Sequence, residues 1–199
     1  MKHFFYITFI SLLTFSCSRN EDTTSEIIKP LSKEIYIFEY KNYSVQNISA
    51  YKGPNGQKTE PNESYLNNYW STYREPSWKK INLNLKNNSI QLISDTSADL
   101  NYSIKIENDS VFIHENNEQN FIGLFNKTEP SFSLKRSLIY IKKMPREDND
   151  ALIISQRTIF GITKYEDIFG KYLFNSPSEL TIIGDDILWS NIDYYYQHL

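Results

Sequence analysis

Imidazole and thiol chemistry is almost absent from this chain. Among 199 residues there are three histidines and a single cysteine. His114 lies in Val111-Phe112-Ile113-His114-Glu115, at the end of a strand-like run beside Asn116-Asn117. A base oriented by Glu115 would need both side chains on one face, but neighbours along a strand point to opposite faces. His114 therefore reads as a surface histidine. His198 stands one residue from the C-terminus, where fraying is expected. No serine sits in a Gly-x-Ser-x-Gly elbow. No His-x-x-x-His or Cys-x-x-Cys pattern could begin a zinc site, and one cysteine, Cys17, excludes a disulfide framework. The acidic runs Glu147-Asp148-Asn149-Asp150 and Asp185-Asp186 lack calcium-loop spacing and read as solvated turns. Two carboxylates meeting across space, as glycoside hydrolysis needs, stay open because no linear motif reports them. The expectation is a non-enzymatic protein without metal or cofactor.

Aromatic side chains are the richer resource, with 15 Tyr, 12 Phe and three Trp. Tyr65, Tyr69, Trp70, Tyr73 and Trp78 crowd one irregular stretch, while Trp189 and Tyr194-Tyr195-Tyr196 gather near the end. Such rings bind sugars, lipids or proteins by apolar stacking with a polar handle, but they also supply core and cross-strand pairs. Trp189 alternates with Ile187 and is assigned to the core. The Tyr65–Trp78 group is the candidate ligand-binding site, balanced evenly against a packing role.

These residues must be positioned by strands. Lys79–Leu85 alternates Ile81, Leu83 and Leu85 with polar residues, Asn87-Asn88 follows, and Ile90-Gln91-Leu92 returns. The pattern recurs at Tyr102–Ile106, Asn108-Asp109 and Val111–Ile113, and again at Glu179–Ile183, Gly184-Asp185-Asp186 and Ile187–Ile192. Asn and Asp tolerate the positive φ of tight hairpin turns. Further strands are expected at 35–43, 121–125, 132–141 and 152–160, with short helices near 62–73 and 164–169. The 50–76 segment breaks the rhythm and reads as a loop or lid-like excursion. About ten strands with turn signals every 8–12 residues specify an all-β antiparallel meander. Alternating faces exclude a doubly wound parallel sheet. The architecture is similar to the lipocalin-like barrel class, which is favoured over a two-sheet sandwich. The Gly-x-Trp of the first lipocalin strand is replaced by Ile35-Tyr36-Ile37-Phe38-Glu39-Tyr40.

The N-terminus is an address. Lys2 and His3 precede the apolar run Phe4–Leu13, too short to span a bilayer as a helix, and together these describe a secretory signal. Leu13-Thr14-Phe15-Ser16-Cys17 then puts a small residue directly before the only cysteine. Residues 1–22 resemble the signal and lipobox of bacterial lipoproteins, in the looser Phe-Ser-Cys-Ser form of Bacteroidota. The resemblance implies cleavage after Ser16 and lipidation of Cys17 with diacylglycerol, carrying palmitate-type chains. An acidic pair, Glu21-Asp22, resembles the export signal for the outer face of the outer membrane; its alternative is a solvated tether. The organisation expected is a signal peptide at 1–16, lipidated Cys17 with a flexible tether at 17–33, and one β-rich domain at 34–199. Loss of Lys2 leaves 20 basic and 24 acidic side chains, so an anionic leaflet offers no attraction. A net charge of −3 also removes nucleic acid as a partner.

The function expected is an outer-membrane lipoprotein whose β-domain binds a small ligand or an envelope partner. Its rivals are a carboxylate-dependent envelope hydrolase acting on glycans and an accessory subunit of an envelope complex. A small-ligand site requires an apolar cavity of roughly 300–1,000 Å³ near Tyr65–Trp78; a hydrolase requires two acids about 5–10 Å apart in an open cleft.

Overall fold

The computed structural model describes residues 34–148, 151–163 and 168–199. The expected signal peptide, Cys17, the expected tether and most of the helix expected at 164–169 lie outside the described residues. So do two members of the first acidic run.

Ten antiparallel strands make one sheet: β1 (Ile35–Lys52), β2 (Gln57–Thr59), β3 (Trp78–Asn84), β4 (Ser89–Ser94), β5 (Leu100–Glu107), β6 (Ser110–Glu115), β7 (Glu118–Asn126), β8 (Ser131–Lys143), β9 (Ile153–Phe160) and β10 (Asp186–His198). The order runs β10-β1-β3-β4-β5-β6-β7-β8, and β10 pairs with β8 to close an eight-stranded barrel of lipocalin-like architecture. A two-sheet sandwich is thereby set aside. β2 hangs on the far half of β1, and β9 on the far half of β8.

The hairpins follow from side-chain alternation and asparagine turns. Ile81 faces Leu92 and Leu83 faces Ile90 across β3–β4, while Ile104 faces Ile113 and Ile106 faces Val111 across β5–β6. Asn108 and Asp109, and then Asn116 and Asn117, all adopt positive φ, the backbone of the two-residue turns that match strand twist. The barrel is filled by Phe38, Ile81, Leu83, Ile90, Leu92, Val111, Ile113, Ile122, Phe132 and Leu134, each at most 1% exposed. The 3-10 helix Glu63–Asn68 and the stretch after it add Leu66 and Tyr73 to the same core. The expected lid-like excursion is therefore in part packed structure: β1 and β2 occupy its start, and its later residues cover the barrel.

Three strands are long enough to leave the barrel. Beyond it, β1, β8 and β10 bury their outer faces in a second core of Tyr51, Ile139, Ile141, Ile187 and Trp189, covered by Ile168, Phe174 and Leu180. Trp189 packs inward as expected, but into this second core. β10 is consequently apolar on both faces: Leu188, Ile192, Tyr194 and Tyr196 serve one core, Ile187 and Trp189 the other.

The expected third hairpin does not form. Residues 177–179 make a 3-10 turn, and the chain from 180 to 185 is not a strand of the sheet. Both edges of β10 are already taken by β1 and β8, so a strand at 179–183 has no edge to join. Leu180 instead enters the second core. The C-terminus departs from expectation for the same reason. His198 pairs with Phe38 in register and lies 5.7 Å from the Tyr36 and Phe38 rings.

Candidate functional site

The five aromatics singled out by sequence divide into two groups. Tyr65, Tyr69 and Tyr73 are tied into the fold. The Tyr69 hydroxyl donates to Asp186 Oδ2 at 2.8 Å and lies 3.2 Å from the Tyr65 hydroxyl, which donates to it. Tyr73 is 3% exposed and donates to Glu63 Oε1 at 2.7 Å. Burial, reinforced by these bonds to carboxylates, pushes both the Tyr69 and the Tyr73 phenol up, so neither ionises at neutral pH. Trp70 and Trp78 do face open space. With Tyr73, Glu75, Pro76, Leu134, Leu138 and Tyr194 they line a cavity of about 80 Å³. That volume is well below the range typical of small-ligand sites, and the barrel interior beneath it is filled with side chains.

The same wall borders a larger space. Trp78, Arg136 and Thr158 line both the small cavity and an open cleft of about 520 Å³, whose other walls include Glu115, Asn120, Phe160, Lys171 and Tyr172. Strand pairing explains the opening. β8 pairs with β7 up to Leu134 and with β9 from Arg136 onward, so the wall exchanges one neighbour for another at Arg136. β9 then carries Phe160 across the mouth, directly opposite Arg136 in register.

Arg136 is the unusual residue of this site. It alternates with Phe132, Leu134 and Leu138 on the barrel face of β8 and is 8% exposed. Its guanidinium carbon lies 4.3 Å from the Phe160 ring centre and 4.9 Å from that of Trp78, within the range of cation–π attraction. Trp78 and Phe160 stack at 5.2 Å with planes 21° apart, and Tyr102 meets Phe160 edge-on at 6.1 Å. Among the described residues one hydrogen bond, Nη2 to the Thr158 carbonyl at 3.2 Å, holds the guanidinium. No carboxylate pairs with Arg136 among the described residues. Burial lowers its pKa to about 10, against the upward pull of the nearby Tyr194, Tyr196 and Tyr102 phenols; it is charged at neutral pH. The Trp78 indole N–H is buried and has no acceptor among the described residues.

Sequence reasoning missed Arg136, although the signal was present. In Phe132-Ser133-Leu134-Lys135-Arg136-Ser137-Leu138, a cation occupies the inward phase of an alternating strand. A charge on the apolar face, rather than a motif, was the mark.

The remaining candidates are committed elsewhere. His114 is exposed on β6. Asp185 was expected in a solvated turn, but its side chain is fully buried and paired with Arg146 at 2.7 Å. It also accepts from the Met144 and Ile182 amides at 2.9 and 3.0 Å. No cluster of three potential metal ligands occurs among the described residues. Glu60 and Glu63 do share an open groove of about 500 Å³. Lys58 holds Glu60, and the Tyr73 and Tyr43 hydroxyls with Arg74 hold Glu63, below the usual carboxylate range. Both are ionised at neutral pH, so this pair offers no proton donor of the kind glycoside hydrolysis needs.

A cleft, an aromatic wall and a buried cation without a counter-ion among the described residues are thus what the fold presents. In comparisons with known proteins, no family model, no curated protein and no solved structure matches the chain.

Proposed function

We propose that this protein is a lipid-anchored envelope lipoprotein whose β-barrel domain is a non-enzymatic binding module, engaging its ligand in the cleft between β7 and β9. The observation that carries the reading is Arg136, nine-tenths buried, unpaired among the described residues and set at the wall shared by the cleft and the cavity behind it. A protein interior does not retain an unpaired charge for stability, because desolvation penalises it. A charge kept there at such cost is a candidate for recognition. The packed barrel turns the reading away from a lipid held inside and toward a ligand seated at the mouth. The anchor rests on Cys17 and its flanking residues; no helix among the described residues is long and apolar enough to cross a membrane.

The reading is tested by what the protein carries. Full-length protein and a Trp78→Ala/Phe160→Ala double variant are extracted from native membranes, and bound small molecules are compared by mass spectrometry. A compound retained by the first and lost from the second supports the cleft as the binding site. Identical content in both removes it.

A further inference from the structure

We infer that the cleft recognises a small organic carboxylate with a planar apolar body, the carboxylate pairing with Arg136 and the body lying against Trp78 and Phe160. This rests on the cleft being the binding site and adds the chemistry of its occupant. Charge comes first. The Arg136 guanidinium uses one donor on Thr158 and has no anionic partner among the described residues, while a guanidinium presents several donors in a planar fork suited to two carboxylate oxygens. An incoming carboxylate supplies the counter-ion that none of the described residues provides. A neutral carbonyl would accept hydrogen bonds but leave the charge uncompensated.

Shape comes second. The inner cavity, about 80 Å³, has room for a group of carboxylate size or a few waters, whereas the outer cleft of about 520 Å³ has room for a ring system. The two meet at Arg136, Trp78 and Thr158. Phe160, half-buried, and Tyr172 face the outer cleft and provide apolar surface. Lys171, exposed at the rim, favours an approaching anion and offsets the exposed Glu115 on the same rim. Glu75, beside the inner cavity, is neutralised by Lys79 at 2.8 Å.

The probes are 2-naphthoate and its uncharged analogue 2-naphthamide, titrated calorimetrically against the full chain in detergent. The expected result is that 2-naphthoate binds at least tenfold tighter than 2-naphthamide. Arg136→Met should then abolish that preference while leaving the weak binding of the amide in place. Equal affinity of wild type for the two probes overturns the carboxylate inference but leaves the cleft intact as a binding site. Undiminished 2-naphthoate binding by Arg136→Met, with its circular dichroism unchanged, overturns it as well. Failure of both probes to bind the wild type overturns the inference and weakens the cleft itself. The comparison of the two probes on wild type needs no variant to fold.

Discussion

Asp185 and Asp186 are adjacent in the chain and opposite in their electrostatics. Burial pushes Asp185 up, but the Arg146 guanidinium and the Met144 and Ile182 amides outweigh it and hold the carboxyl below its ordinary value. Burial dominates at Asp186, and the Tyr69 hydroxyl, Lys52 and Lys142 only partly offset it, so that carboxyl is raised. The linkage signs follow. Asp185 contributes stability that is complete above the unfolded value of about 3.9 and is lost as pH falls through its lower folded value. Asp186 carries a penalty at neutral pH that is relieved as pH falls through its raised folded value toward about 3.9. Urea midpoints measured from pH 7 to pH 2 should therefore show Asp186→Asn removing a rise on mild acidification. Asp185→Asn should be destabilised at neutral pH by about 3–5 kcal/mol, since it leaves Arg146 without its partner, and should lose the acid limb. Arg136 belongs to this scale too. Arg136→Met exchanges a buried charge, unpaired among the described residues, for an apolar side chain of similar length, and should raise stability because it relieves a desolvation penalty larger than the cation–π contacts it gives up. A higher urea midpoint together with lost carboxylate preference would mark a residue kept for recognition. A lower midpoint would assign Arg136 to the architecture instead.

At the scale of elements, legibility tracked local determination. The β3–β4 and β5–β6 hairpins were readable because alternation and asparagine turns settle them within a dozen residues. The sequence pattern ends β1 near Tyr43, but the strand continues to Lys52, since its far half is specified by pairing with β10, more than a hundred residues away. The false strand at 179–183 had the right side chains and no free edge, which is a property of topology. Tyr65, Tyr69 and Trp70 were singled out for the right chemistry, yet only contacts with Asp186 and the cavity separate the packing tyrosines from the cavity-lining tryptophan. Gly123 marks where β7 presses on β8. A Cβ there would lie 2.1 Å from the Ser133 carbonyl oxygen, so the backbone must move to admit it. Gly123→Ala should cost about 1–3 kcal/mol, as overpacking commonly does, measured by urea unfolding. Because the β7–β8 seam ends beside Arg136, the same variant should also weaken 2-naphthoate binding. A stability unchanged within about 0.5 kcal/mol would show that the seam yields freely.

For the whole molecule, the proposed membrane anchor is a question of which force would hold the domain at a bilayer. Charge would not, because the chain from Cys17 onward carries more acids than bases and anionic headgroups repel it. A spanning helix is not found among the described residues. The anchor proposed at Cys17 would act through acyl chains, at about 0.8 kcal/mol per buried methylene, and two or more chains anchor durably where one does not. If Cys17 carries them, Cys17→Ser should move the protein from the membrane pellet to the soluble fraction. High salt should not release the wild type, and detergent should. The variant's domain should unfold at the wild-type temperature, because both cores are built from residues far beyond Cys17. Persistence of Cys17→Ser in salt-washed membranes would mean that a protein partner or the barrel's own surface holds it there. The cleft would then have to be considered as part of that contact.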